Sequence, residues 1–213
     1  MADLTVKNLN LAAITTKLTQ NFNFTTAGGQ CLGVSGPSGI GKSVLLRAIA
    51  DMLPHQGEIY LGELESQSVP APQWRKKVAL LPAESQWWFD RVGEHFSQYN
   101  DSLFQYFGFE QDVMNWQISH ISSGEKQRLA CIRVLMNEPQ ALLLDEPTAN
   151  LDPQNQGLLE TLITQYQSEH QLPVIWISHD LQQLEKVSDR LLYLIEGSYS
   201  ISPVKPVLEG ETA

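Results

Sequence analysis

The sequence predicts an α/β protein in which helices flank a mostly parallel β-sheet. Short runs of apolar residues recur along the chain, as is typical of strands that are buried on both faces of a sheet. Helical patterns separate most of these runs, and parallel strands need such connections to return the chain to the same edge. A glycine-rich turn also joins one apolar run directly to a helix. Together these observations favour strands and helices that alternate along the chain.

An antiparallel subsheet is expected near the N-terminus. Apolar and polar residues alternate in residues 4–11, and again around Phe22 and Phe24. Because alternation is typical of antiparallel strands with one solvated face, we expect edge strands here. A further short strand is predicted at residues 58–61.

The remaining patterns place the buried strands and the helices. Continuous apolar runs predict strands at residues 31–35, 78–81, 141–144, 174–177 and 191–195. Apolar residues at helical spacing predict helices at residues 44–50, from Ser122 onward and from Pro153 onward.

Residues 83–122 have a different character, because they are rich in Trp, Tyr and Phe and show little alternation. We expect a small α-helical subdomain here, inserted into the α/β core, with most of the aromatic side chains in its interior. A length of 213 residues suits one large domain or two small ones, and we predict a single domain that spans residues 1–213.

The composition indicates a globular protein with an acidic surface. Hydrophobic residues make up 42% of the chain and the formal net charge is −10. Such a charge disfavours nucleic acid as the main partner, because a phosphodiester backbone needs basic residues to neutralise it. The two cysteines, Cys31 and Cys131, lie in apolar surroundings and are predicted to be core residues. No apolar run approaches the length of a membrane span, so we expect a cytoplasmic protein that reaches a membrane only through a partner.

The glycine-rich turn predicts a nucleoside-triphosphate site. It fits the pattern G-x-x-x-x-G-K-[ST], in which backbone N–H groups surround phosphates, the lysine reaches the β- and γ-phosphates, and the hydroxyl binds Mg²⁺. The helix that follows adds the positive end of its dipole. The residues concerned are Gly36, Pro37, Ser38, Gly39, Ile40, Gly41, Lys42 and Ser43.

Reactive side chains also follow two other predicted strands. Asp145 and Glu146 end one strand, and His179 follows the next. Because ligands gather at the carboxyl ends of parallel strands, we expect these residues to lie beside the glycine-rich turn. Asp145 is suited to hold Mg²⁺ and Glu146 to act as general base on a water molecule. His179 is expected to contact the γ-phosphate and position that water, while Lys42 neutralises charge on the transferring group.

These motifs, in this order, resemble those of the ATP-binding-cassette (ABC) ATPases. Residues 121–128, Ile-Ser-Ser-Gly-Glu-Lys-Gln-Arg, resemble the family signature LSGGQ-x-QR. The segment ALLLDEPTANLD at 141–152 and the histidine at 179 follow it, as in the family. A simple helix cap accounts for Ser122 but not for the Lys-Gln-Arg after it. The resemblance covers residues 4 to about 195.

The resemblance implies a P-loop NTPase fold of ABC type, with ATP and Mg²⁺ as cofactors. Two subunits of such proteins enclose two ATP molecules head to tail. Ser122 and Gly124 are then expected to contact the γ-phosphate held by the opposite subunit, and Asp152 to act across the interface. The resemblance further implies an integral membrane permease as partner, which docks near residues 86–89 and holds the subunit at the inner or plasma membrane.

The chain departs from the family pattern at four places. Val44 replaces the usual threonine, so that only its backbone amide remains to contact the α-phosphate. Ser123 replaces the second signature glycine. Residues 11–14 offer no aromatic ring for adenine, and Ala83 stands where a glutamine is usual. Glu84 and Gln86 are alternative replacements for that glutamine.

Three other functions are alternatives to a transport ATPase. A soluble ABC ATPase of DNA repair or translation generally carries coiled-coil insertions, paired cassettes or basic extensions, which this sequence lacks. A nucleotide-gated module of low turnover is suggested by Val44, Ser123 and Ala83, although Glu146 and His179 are present. A small-molecule kinase that shares the phosphate-binding turn fits less well, because the signature segment would then have no role. The sequence does not encode the transported substrate or the direction of transport.

Overall fold

The computed structural model describes residues 2–204; Met1 and residues 205–213, which the predicted domain includes, lie outside the described residues. Ten strands in the described part of the chain form two sheets. The strands are β1 (Leu4–Asn10), β2 (Phe22–Thr26), β3 (Cys31–Ser35), β4 (Gln56–Leu61), β5 (Leu64–Glu65), β6 (Val78–Leu81), β7 (Ala141–Asp145), β8 (Val174–Ile177), β9 (Arg190–Ile195) and β10 (Ser198–Pro203).

Six α-helices accompany these strands between residues 2 and 204. They are α1 (Lys42–Ile49), α2 (Ala71–Lys77), α3 (Asp101–Tyr106), α4 (Ser123–Leu135), α5 (Pro153–His170) and α6 (Leu181–Val187). The predicted starts at Ser122 and Pro153 are confirmed: Ser122 is the N-cap of α4 and Pro153 the first residue of α5. None of the described helices combines the length and apolarity needed to cross a bilayer.

The larger sheet has the order β10-β9-β3-β8-β7-β6. Strands β9, β3, β8, β7 and β6 pair in parallel, as predicted, and β10 pairs antiparallel with β9. Every residue of β3, β7 and β8 is buried, which accounts for their unbroken apolar sequences. Strand β10 was not predicted, because its sequence Ser-Tyr-Ser-Ile-Ser-Pro is too polar to stand out as a strand.

The smaller sheet has the order β2-β1-β4-β5 and is antiparallel, as predicted. The prediction that both N-terminal strands are edge strands was wrong for β1. Val6 of β1 is paired with Phe24 on one side and with Ile59 on the other. Alternation shows that one face of a strand is solvated, but it does not show how many neighbours the strand has.

Two hydrophobic cores lie on opposite sides of the larger sheet. One contains α1, the indole of Trp74 and the apolar face of the smaller sheet. The other contains residues of α4 and α5, Trp176 of β8 and the buried rings of Phe104, Phe107 and Phe109. Alternate residues of β8 point to each side: Ile175 belongs to the first core and Trp176 to the second. Cys31 and Cys131 are buried free thiols, as predicted, and burial raises the pKa of Cys131 to about 12.

The segment between β6 and α4 contains less α-helix than the sequence suggested. It holds α3 and three short 3-10 turns, at Val92–His95, Gln111–Asn115 and Ile118–His120. Helix α3 is short because Gly108, at φ 75°, closes it: the backbone N–H of Phe109 donates to the carbonyl of Phe104 at 2.9 Å. The rings of Phe104 and Phe109 are buried, whereas Trp88 is 64% exposed.

Candidate functional site

The glycine-rich turn lies between β3 and α1, as predicted. Gly36 and Gly41 have φ angles of 145° and 115°, which disfavour any residue with a side chain. A Cβ atom at Gly36 would stand 2.6 Å from the carbonyl oxygen of Leu194, and one at Gly41 would stand 2.7 Å from the Leu18 side chain. Helix α1 begins at Lys42, two residues earlier than predicted, because Gly41 in this conformation is its N-cap.

The side chain of Lys42 lies back across this turn. Its Nζ donates hydrogen bonds to the carbonyls of Gly36 at 2.9 Å and Pro37 at 3.2 Å, and the residue is only 7% exposed. Burial lowers the pKa of Lys42, while Glu146 and Asp145 act in the opposite direction. A cation is therefore held at the N-terminus of a helix, where an anion is stabilised.

The strand order brings the predicted reactive residues to one edge. Strand β8 lies between β3 and β7, so the segment with His179 emerges between the glycine-rich turn and the acids. The hydroxyl of Ser43 donates to Asp145 Oδ1 at 3.0 Å. Asp145 is itself buried.

Adjacent hydroxyl and carboxylate oxygens suit Mg²⁺, which prefers oxygen ligands and also binds phosphates and water. The described residues contain no cluster of three or more His, Cys, Asp or Glu side chains that could hold a metal without such help. The donor set of Ser43 and Asp145 thus fits an ion bound together with a nucleotide.

Glu146 and His179 form a pair beside this group. Nε2 of His179 lies 3.3 Å from Oε1 of Glu146. The backbone N–H of Glu146 donates to the carbonyl of Ile177 at 3.1 Å, which ties the end of β7 to β8. Burial raises the pKa of the Glu146 carboxyl, and the nearby His179 opposes this shift. A carboxylate with a raised pKa next to a histidine is suited to accept a proton.

The signature segment forms the N-terminus of α4. The backbone N–H of Glu125 donates to Ser122 Oγ at 3.2 Å, and the backbone N–H of Ser122 donates to Glu125 Oε2 at 2.7 Å. This capping box leaves the first amides of α4 available to an anion. Gly124 faces the loop after β7, where an added Cβ would stand 3.0 Å from the carbonyl oxygen of Asn150. Within the described residues, no hydrogen bond joins Ser122 or Gly124 to the glycine-rich turn of the same chain.

The positions that depart from the family pattern lie around this site. Val44 is part of α1, and Ser123 is exposed at the first position of α4. Residues 12–14 are exposed, with Ile14 at 36%. The side chains of Glu84 and Gln86 are both exposed, so they stay alternative predictions.

Two polar features near the site were not predicted. Nζ of Lys17 donates to the carbonyl of Gly39 in the glycine-rich turn at 3.0 Å. Behind the Glu146–His179 pair, the buried side chains of Thr148 and Gln183 are hydrogen-bonded to each other. No sequence signal connects these residues, because the partners are 22 and 35 positions apart.

Comparison with known proteins agrees with this geometry. Residues 19–149 match the family model described as ABC transporter. The chain belongs to the ABC transporter family. It is 29% identical over 204 residues to the probable iron export ATP-binding protein FetA of Escherichia coli, with 90% of each chain covered. It is 28% identical over 228 residues to the phosphate import ATP-binding protein PstB of Aeropyrum pernix, covering 92% of this chain and 88% of the relative.

Solved ABC structures share the fold. A dimeric ATP-binding cassette in a post-hydrolysis state, bound to ADP and phosphate, superposes with a TM-score of 0.81 at 20% identity, covering 95% of this chain and 99% of the other. An ATP-bound bacterial ABC exporter of the Atm1 family gives a TM-score of 0.79 at 22% identity, covering 93% of this chain and 39% of that longer chain.

The capping box at Ser122 predicts a measurable loss of stability. Ser122→Ala should lower the free energy of unfolding by about 1 kcal/mol in urea denaturation. Ser123→Ala, at an exposed neighbouring position, is the control and should change the free energy of unfolding by less than about 0.5 kcal/mol.

The hydrogen bonds from Ser122 lower the pKa of Glu125, so the stability that these bonds give is present at neutral pH. The cost of Ser122→Ala should therefore shrink as the pH falls through the pKa of Glu125. Equal stability of the two variants at neutral pH contradicts this role.

Proposed function

We propose that this chain is a single-domain ATP-binding and ATP-hydrolysing subunit, two copies of which enclose ATP and power transport through a separate membrane protein. The observation that carries the proposal is the convergence of five side chains at the carboxyl ends of β3, β7 and β8. They are Lys42, Ser43, Asp145, Glu146 and His179.

The glycine-rich turn holds the triphosphate in this proposal. Backbone N–H groups of residues 36–44 surround the phosphates, and Val44 contributes its amide alone. Lys42 exchanges the carbonyls of Gly36 and Pro37 for the β- and γ-phosphates. Ser43 and Asp145 would hold Mg²⁺, and the bound ion would neutralise phosphate charge.

Glu146 and His179 carry out the work of hydrolysis. Glu146 accepts a proton from a water molecule as the water oxygen attacks the γ-phosphorus, and ADP leaves. His179 orients the carboxylate and contacts the γ-phosphate. The close pairing of the two side chains favours real hydrolysis over the alternative of a module with little turnover.

A second copy completes each site. Ser122 and the amides of α4, including that of Gly124, present a positive helix end that the glycine-rich turn of their own chain does not use. In a head-to-tail dimer they contact the γ-phosphate held by the partner copy. Asp152, the N-cap of α5, lies at the end of the loop that Gly124 faces and transmits the state of one site to the other.

The membrane partner is proposed to dock on the aromatic surface formed by Trp87, Trp88 and Phe89. The guanidinium of Arg133 lies 4.5 Å from the ring centre of Trp87 and 5.1 Å from that of Trp88, which holds both rings in place. A cavity of about 540 Å³ opens beside them. Exposed large apolar side chains next to a concavity are typical of protein interaction sites.

Docking on this aromatic surface would hold the chain at the cytoplasmic face of the membrane. Because the relatives include proteins named for import and for export, their names leave the direction open.

Purified Glu146→Gln protein tests the ATPase proposal. Loss of the general base should lower kcat by about 100-fold or more, while Mg-ATP still binds and holds two copies together as a dimer in light scattering. The control is Glu185→Gln, the same change at an exposed position of α6, which should keep wild-type kcat and a dimer that dissociates on hydrolysis. A Glu146→Gln protein that stays monomeric in saturating Mg-ATP, or that hydrolyses ATP at the control rate, contradicts the proposal.

Sedimentation with native membranes tests the docking surface. The double change Trp88→Ala, Phe89→Ala should lower the membrane-bound fraction of the chain several-fold, because both exposed side chains are removed, and should leave kcat in solution unchanged. The matched control removes two other exposed apolar side chains on β9, Tyr193→Ala and Ile195→Ala. Equal membrane binding by the two double variants contradicts the proposal that the membrane partner docks on this surface.

A further inference from the structure

A buried polar network lies behind the Glu146–His179 pair and joins three elements: the loop after β7, α5 and α6. Its members are Thr148, Glu160 and Gln183, which are 5%, 8% and 8% exposed. Burial of polar side chains is costly unless they are hydrogen-bonded, and a network of this kind is stabilising only when its members are satisfied. The positions of the three elements are thereby linked.

The orientation of the Gln183 amide is fixed by its neighbours. Its Nε2 donates to Glu160 Oε1 at 2.8 Å and to Thr148 Oγ1 at 2.8 Å. Nζ of Lys186 lies 2.6 Å from the other oxygen of Glu160 and forms an ion pair with that side chain. A carboxylate that is paired with a lysine accepts hydrogen bonds from its other neighbours, so the amide nitrogen and not the amide oxygen of Gln183 faces Glu160.

The network reaches both members of the catalytic pair through the backbone. Thr148 stands two residues after Glu146, and Gln183 stands four residues after His179. Glu146 has a φ of 50°, which a residue with a side chain adopts only where the surrounding structure holds it. The backbone N–H of Gln183 also donates to Oδ1 of Asp180, the N-cap of α6. Gln183 therefore connects the side-chain network to the N-terminus of α6.

Helix α5 holds the same loop at a second point. Nε2 of Gln156 donates to the carbonyl of Leu151 at 3.0 Å, one helical turn before Glu160. The loop that carries Glu146 is therefore attached to α5 directly and to α6 through Gln183. A displacement of either attachment shifts Glu146 relative to His179.

We infer that Thr148, Glu160 and Gln183 are positioning residues that hold the side chains of Glu146 and His179 at the separation and orientation that hydrolysis needs. They act through the backbone on both sides of the pair and not on the reacting atoms. The inference rests on the proposed ATPase function, and its experiment separates the two.

The test places a second carboxylate in the network. Gln183→Glu keeps the shape of the side chain but sets like charges against each other at Glu160. We expect kcat to fall about tenfold or more, since small displacements of reacting groups are costly, while the Kd for Mg-ATP stays within about twofold. The matched control is Gln182→Glu, the same substitution one residue earlier at an exposed position, which should keep wild-type kcat.

A double variant supplies the rescue. Glu160→Gln combined with Gln183→Glu exchanges the amide and the carboxylate, so the hydrogen bond between the two positions can form again. Its kcat should recover most of the loss. The inference is overturned if Gln183→Glu matches the kcat of Gln182→Glu, or if the double variant has wild-type Tm and remains as slow as Gln183→Glu.

A second pair of variants covers the case in which Gln183→Glu does not fold. Thr148→Val replaces the hydroxyl with a methyl group and should lower kcat at unchanged Kd, whereas Thr148→Ser keeps the hydroxyl and should keep the rate. Wild-type kcat in a folded Thr148→Val protein of lowered Tm indicates a structural role alone and overturns the inference. Absence of ATP hydrolysis by both wild type and Gln182→Glu overturns the proposed function itself, and the inference with it.

Discussion

The parallel pairing of β3, β8 and β7 is the constraint on which the candidate site depends. All residues of these strands are buried, and Val34 is paired with Ile177, which is in turn paired with Asp145. A shift of one residue would move every side chain to the opposite face, so the register is strongly fixed. The loops that leave the three strands therefore meet at one edge, with the histidine segment in the middle. Hydrogen bonds beyond the sheet then refine this placement, from Ser43 to Asp145 and within the network around Gln183.

The electrostatics of this edge support the proposal that two copies share each site. Lys42 and the N-terminus of α1 supply positive charge on one side of a bound triphosphate, next to the acids of β7. The N-terminus of α4 supplies a second positive end. Gly124 faces the loop after β7, and among residues 2–204 no hydrogen bond joins it or Ser122 to the glycine-rich turn. A negatively charged protein that binds a highly charged anion benefits from such local positive ends. In the proposed dimer the glycine-rich turn is half of a site, and the two-fold symmetry supplies the other half.

Sequence alone predicted the features that depend on local chemistry. Strands β3, β6 and β8 were predicted with the bounds observed, because each is an unbroken apolar run with a polar residue, Gly or Pro close to its end. Helix α1 was predicted two residues late, since the conformation of Gly41 is not visible in a hydrophobic pattern. Strand β10 was missed because it gains its structure by pairing with β9 and not from its own residues. The candidate site residues could be predicted from their motifs, whereas the network at Glu160 could not, because tertiary folding alone brings its members together.

Complementation between two inactive chains tests most directly that each site is shared by two copies. One chain carries Lys42→Ala, which removes the cation of the glycine-rich turn. The other carries Ser123→Glu, which suits a helix N-terminus but places a negative charge against the partner's γ-phosphate. Each chain alone should be inactive. An equal mixture should recover about a quarter of the wild-type rate, since half of the dimers are mixed and each mixed dimer has one intact site. A mixture that stays as inactive as its components contradicts the shared site.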